Sequence, residues 1–134
     1  MREIEFRGKS KNSGRWVHGD LVTNKYQSRQ GIHIYEKSNN VNCKSGYQFV
    51  RVDKKTLGQY TGLKDKNGTK IFEGDVAKCK VDIDLIVLVE WSEIMSAFVI
   101  REPSKSIRYC DLCFARNIEV IGNIYDNPEL VNGE

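Results

Sequence analysis

The dipeptide Asn67-Gly68 sets a chain reversal in the middle of this sequence. Both residues tolerate positive φ, which a tight hairpin turn demands and most residues resist. Two β-prone runs flank it, Tyr60 to Lys64 leading in and Thr69 to Phe72 leading out. A second reversal follows at Glu73-Gly74-Asp75. There Gly74 is free to take a left-handed conformation, and the Asp75 carboxylate can accept backbone N–H groups of the turn. Residues 56–75, TLGQYTGLKDKNGTKIFEGD, therefore read as a hairpin followed by a turn into the strand that Val76 starts.

The N-terminus carries an echo of this design. FRGKSKNSGRWVHGDLV (residues 6–22) aligns with YTGLKDKNGTKIFEGDV (residues 60–76). Phe6 matches Tyr60, Gly8 matches Gly62, Gly14 matches Gly68, and Gly19-Asp20 matches Gly74-Asp75 after one added residue. Two copies fall short of a repeat architecture. The expectation is two similar hairpins, each followed by a Gly-Asp turn.

The central motif TLGQYTGLKDKNG-x-x-IFEGD resembles the YopX family of small proteins from bacteriophages and prophages of Gram-positive bacteria. REIEFRGKSKNSGRWVHGDLV at the start and IEVIGNIYDNPEL at the end resemble that family's termini. Residues 23–55 and 101–117 carry the likeness least. The resemblance implies a largely β structure and a phage or prophage origin. It brings no assigned biochemical activity and no catalytic residues to carry over.

A chain of 134 residues fits one domain. Within it we expect an N-terminal β lobe over about residues 1–55 and a barrel-like lobe over about 56–134. The opening MREIEFRGK lacks the apolar run of a secretory signal, and the longest apolar run, residues 85–89, is far too short to span a membrane. The expected location is the cytosol of the host cell, with no membrane partner. The net charge of +3 hides a split. Residues 1–80 hold 17 Lys/Arg and 8 Asp/Glu, whereas residues 81–134 hold 4 and 10. Such a split suits a nucleic-acid-facing half, a dipolar chain that packs on its own copies, or simply two solvated surfaces. A sequence pI near 8.6 is below that of a dedicated nucleic-acid binder.

Short strands follow along the chain. Ile4 and Phe6 alternate, Trp16 sits in the return strand as a packing residue, IHIY (32–35) and YQFVRV (47–52) are β-prone, and residues 24–31 read as a loop. In residues 76–81, Ala77, Cys79 and Val81 share one face; Val76, Lys78 and Lys80 share the other, which is expected to be wet. Residues 82–84 read as a turn. The apolar run 85–91 suits a strand buried on both faces, and AFVIR (97–101) returns beside it. This order suggests an SH3-like small barrel. Ile107, Cys110, Cys113 and Phe114 recur at spacings of three and four, so one short helix is expected there. The fold class is thus mainly β, with antiparallel hairpins, an SH3-like small barrel and one short helix.

Chemistry is sparse. Cys110 and Cys113 form a C-x-x-C without a second pair, so no metal site is expected and the cysteines read as structural. Asp20 and Asp75 read as turn caps rather than an acid–base pair. His18 and His33 have no adjacent nucleophile, and no phosphate-cradling glycine loop occurs. Catalytic residues and cofactors are therefore expected to be absent. Asn67, Gly68, Gly74 and Asp75 are structural turn residues. The basic hairpins supply the functional lead: Lys9, Lys11 and Arg15 in one, Lys64, Lys66 and Lys70 in the other, with Trp16 and Tyr60 near them as base-stacking candidates. The leading expectation is a non-catalytic module that binds another protein or its own copies as a homo-oligomer. The alternative is DNA or RNA binding through the basic half.

Overall fold

The computed structural model describes residues 2–23, 31–80, 84–103, 109–111 and 117–132. The described residues are mostly β, with antiparallel strands in two sheets and one short α-helix. It divides into two units, Met1–Gln59 and Tyr60–Glu134.

In the first unit β1 (Phe6–Lys9), β2 (Trp16–Val22), β3 (His33–Lys37) and β4 (Tyr47–Arg51) lie in the order β4-β3-β2-β1. Ser10 shapes the β1–β2 turn, its hydroxyl accepting the N–H groups of Asn12 and Ser13. On the far side of β1, Gly58 and Gln59 of β5 (Gly58–Lys64) pair with Arg7 and Phe6. Side chains alternate across a strand. Val17, Ile34 and Val52 accordingly point to one face and form the core of this unit, with Phe6, Ile32, Val50 and Leu57 packed around them. β2 and β3 approach closely at Gly19. A Cβ there would lie 2.1 Å from the Tyr35 carbonyl oxygen.

Gly19-Asp20 is therefore not a turn. β2 runs straight through it, with Phe6 opposite Gly19 and Tyr35 opposite Asp20. The likeness to Gly74-Asp75 ends with the hairpin itself. Gly74 sits in a real reversal, and Asp75, buried, accepts the Phe72 N–H at 2.7 Å. Asp20 is exposed in mid-strand. The same dipeptide serves one site by its missing side chain and the other by its turn geometry.

In the second unit the rest of β5 pairs with β6 (Lys70–Phe72), Tyr60 opposite Phe72 and Lys64 opposite Lys70. Gly68 takes φ +82° in the turn, with open space around it. Gly68→Val is expected to lower stability by about 1 kcal/mol or more through backbone strain alone, since no neighbour would be displaced. A chemical melt within about 0.3 kcal/mol of the parent would refute this, as surface changes scatter by about that much.

Beyond the turn, β7 (Asp75–Lys80), β8 (Asp84–Ser92), β9 (Ala97–Arg101), β10 (Tyr109–Asp111) and β11 (Ile118–Asn123) form a sheet in the order β10-β9-β8-β7-β11. Closure into a barrel is not seen among the described strands; β10 and β11 stand at the two ends of that order. The core gathers Ile71, Ala77, Cys79, Val87, Val89, Ile100 and Ile118. Val87, Leu88 and Val89 are buried in succession, as the continuous apolar run suggests, but Trp91 is exposed and rests edge-on against Phe98.

Two expectations need correction. The helix expected around Cys110 is, where described, the strand β10, whose Tyr109, Cys110 and Asp111 pair with Arg101, Ile100 and Val99. The β9 edge supplies hydrogen-bond partners that outweigh a short apolar periodicity. The rest of that segment, and the loop and turn expected at residues 24–30 and 82–83, lie outside the described residues. The Val76 face, expected to be wet, is covered at Val76 itself. Gly122 of β11 is the register partner of Val76 and lies at a bulge. A Cβ at Gly122 would meet Asn127 Oδ1 at 2.4 Å and Leu130 Cδ1 at 3.1 Å. The chain end thus folds back over this face, placing α1 (Glu129–Asn132) on it, two elements whose pairing no local pattern announces.

Candidate functional site

The first unit holds a cleft of about 320 Å³ lined by Lys11, Gly31, Ile32, Arg51, Val52, Asp53, Lys54 and Lys55. Its shape follows from local bonding. Lys11 N–H donates to the Arg51 carbonyl, and Val52 N–H to that of Ile32, so turn and strand ends are held together. Asp53 caps the 3-10 turn Lys54–Thr56, its carboxylate accepting the Lys55 N–H at 3.1 Å. The Thr56 hydroxyl donates to the Asp53 carbonyl and accepts the Lys9 N–H, which docks the turn onto β1. Lys54 and Lys55 consequently project at the cleft and are exposed. Four cationic side chains converge on a floor of Ile32 and Val52, with Asp53 as the one acid in the lining.

The cations expected to form the basic strip are used differently. In the first unit, Lys9 lies over the Trp16 ring at 5.5 Å and Arg7 over the same ring at 4.7 Å. Arg15 forks onto Glu36, with Nη1 at 3.1 Å from Oε1 and Nη2 against Oε2. The hydrogen bond from Arg15 holds the Glu36 carboxyl below its usual range, against the opposing effect of burial. Lys11 keeps its side chain for the cleft. In the second unit, Lys66 pairs with Glu119 at 3.6 Å and Lys70 lies 5.2 Å over Tyr60. Lys64 is exposed. Tyr60 is buried against Phe72 and offers no open face for a base. The Trp16 ring is covered by two cations.

Asp65 organises the second hairpin, a role that the sequence pattern does not single out. Its Oδ1 accepts the N–H groups of Asn67 and Thr69, each at 2.9 Å, and its Oδ2 accepts the Val120 N–H of β11 at 2.9 Å. Burial would raise this carboxyl. The N–H donors of Val120, Thr69 and Asn67, with the charge of Lys66, outweigh burial and hold it below its usual range. Asn67, Gly68 and Asp65 together form the turn, and the Asn67 amide also reaches Glu119 at 3.3 Å.

No group of three or more His, Cys, Asp or Glu side chains with metal-holding geometry occurs among the described residues. Cys79 is buried in the core of the second unit, and Cys43 lies in the β3–β4 loop. The side chains of Cys110 and Cys113 lie outside the described residues. No helix among the described residues is long and apolar enough to cross a membrane.

The family model for the YopX protein matches residues 5–132. The chain belongs to the YopX family. A solved structure similar to this YopX chain is that of protein EF1440 from Enterococcus faecalis, with 21% identity, a TM-score of 0.55, and coverage of 98% of this chain and 99% of that one. That likeness is one of fold. No curated protein matches the chain. In this YopX chain Lys11, Arg51, Lys54 and Lys55, none of which forms an ion pair among the described residues, gather at the cleft. Of these, the sequence pattern singles out Lys11 alone. The usable signal is the Lys54-Lys55 dipeptide, three residues beyond a strand that ends in Arg51. Sequence distance hides its proximity to Lys11.

Proposed function

We propose that this YopX-family chain is a non-catalytic nucleic-acid-binding accessory protein, working in the cytosol of a host cell that carries a phage or prophage. The observation that supports this reading over a protein-binding role is the cleft with Lys11, Arg51, Lys54 and Lys55 on its walls. None of these four side chains forms an ion pair among the described residues, so each is available to a phosphate. The unit boundary sharpens the charge split. Residues 1–59 hold 12 Lys/Arg and 5 Asp/Glu, and residues 60–134 hold 9 and 13. A first unit of net +7 attracts a polyanion, and each phosphate it neutralises releases counterions.

The test is fluorescence anisotropy with labelled oligonucleotides across a salt series. Binding should weaken steeply with salt, and Lys54→Ala with Lys55→Ala should reduce the slope of log K against log salt by about one for each phosphate no longer neutralised. Lys66→Ala, whose partner is Glu119, should leave the slope unchanged. Absence of binding at low salt overturns the proposal and returns the leading place to a protein partner or self-association, read by sedimentation at low and high salt.

A further inference from the structure

On β3 and β4, the face of the first-unit sheet opposite its core carries three aromatic rings. Ile34 is buried inward, so its neighbours His33, Tyr35 and Lys37 face outward; Val50 packs on the same core, so Phe49 and Arg51 face outward with Tyr47. The register aligns these in rows: Lys37 with Tyr47, Tyr35 with Phe49, His33 with Arg51. Rows follow every second residue, about 7 Å apart. The Tyr35 ring lies 4.6 Å from Phe49 and 5.1 Å from Tyr47. Tyr47 and Phe49 nevertheless remain 48% and 41% exposed.

Cross-strand aromatic pairs stabilise sheets, and that accounts for one ring beside another. It does not account for the Tyr47 ring, left half in water on a sheet whose opposite face already has a core. Nor does it account for the cations in the adjoining rows. Lys37 and Arg51 form no ion pair among the described residues, and Arg51 also lines the basic cleft. Asp20, opposite Tyr35 on β2, is the acid on this face nearest the rings.

We infer that the outward face of β3 and β4 is a stacking platform for single-stranded nucleic acid, with bases on Tyr47 and Phe49, Tyr35 bracing both rings from β3, and the backbone led past Arg51 into the cleft of Lys11, Lys54 and Lys55. This rests on the nucleic-acid reading and names its substrate class. An exposed ring can stack on an unpaired base of any identity, whereas the bases of a duplex are already stacked on one another. The cations supply affinity for both forms; the rings supply the preference for single strands.

The deciding experiment compares a single-stranded oligonucleotide with the duplex of the same sequence, on the parent chain and on variants checked for an intact thermal transition. Tyr47→Ala and Phe49→Ala should each lower single-strand affinity on the order of tenfold and leave duplex affinity within about twofold. Tyr47→Phe, which keeps the ring, should bind like the parent. Should Phe49→Ala fail to fold, Phe49→Leu keeps an apolar side chain on the strand while removing the ring, and carries the same expectation. Equal affinity of the parent for both forms, or ring variants that bind single strands undiminished, overturns the platform and leaves the cleft reading standing. A parent that binds neither form overturns both.

Discussion

Gly19→Ala is expected to lower stability by about 3 kcal/mol or more, because the added carbon has nowhere to go. An ideal Cβ at Gly19 lies 2.1 Å from the Tyr35 oxygen and 3.0 Å from its carbonyl carbon. Both are backbone atoms at the end of the β2–β3 ladder, beside its last partners Asp20 and Tyr35, and Gly19 is held on its other side by the pairing with Phe6 of β1. A flexible side chain could swing away, but a ladder carbonyl cannot. The strands must part, which also opens the core at Ile34, whose Cγ2 stands 3.2 Å from the same point. Urea unfolding of Gly19→Ala beside Gly14→Ala separates the causes. Gly14 has φ +74° but open space, so its cost is strain alone, about 1 kcal/mol. If the Gly19 variant melts within about 0.5 kcal/mol of the parent, the close approach is not real.

Asp65→Ala should be similarly severe, about 3 kcal/mol, since it strips the acceptor from three backbone N–H groups at once. Asp65→Asn should cost less. One carboxamide oxygen can keep the Asn67 and Thr69 bonds, while the amide nitrogen meets the Val120 N–H donor against donor. Hydrogen exchange at Val120 should therefore speed up in Asp65→Asn while the turn stays protected. The carboxyl also imposes a pH dependence. Its folded pKa is depressed, so its stabilisation is present above the unfolded value, about 3.9, and is lost as pH falls through the folded value. Glu36, held down by Arg15, acts in the same direction. Stability should fall steadily below about pH 4, and less steeply in Asp65→Asn. A parent and variant with parallel acid melts would remove Asp65 from this account.

Much of the β architecture was legible because its signals are local. Asn67-Gly68 declares a hairpin through backbone sterics, and Gly68 indeed takes positive φ. The run at residues 85–91 declares a buried strand through composition, and Val87 to Val89 are buried between β7 and β9. The Gly-Asp echo misleads because a dipeptide does not encode what lies across from it. Gly19 is glycine because of Tyr35, and Gly74 because of a reversal. The strand at Tyr109 escapes a local reading for a related reason: its hydrogen-bond partners lie on β9, and periodicity over so few residues cannot weigh them.

The candidate site shows the same division. Period-two alternation in YQFVR already put Tyr47, Phe49 and Arg51 on one face, and the sequence also carried the basic first half and the Lys54-Lys55 pair. Turn type, strand identity and charge are carried by neighbouring residues, so the chain alone determined them. Tertiary structure decided that Tyr35 meets Phe49, that Lys11 reaches the end of β4, and that Arg15, Lys66 and Lys70 are occupied by Glu36, Glu119 and Tyr60. Those outcomes depend on strand register and loop closure, which bring together residues that no short window of sequence contains.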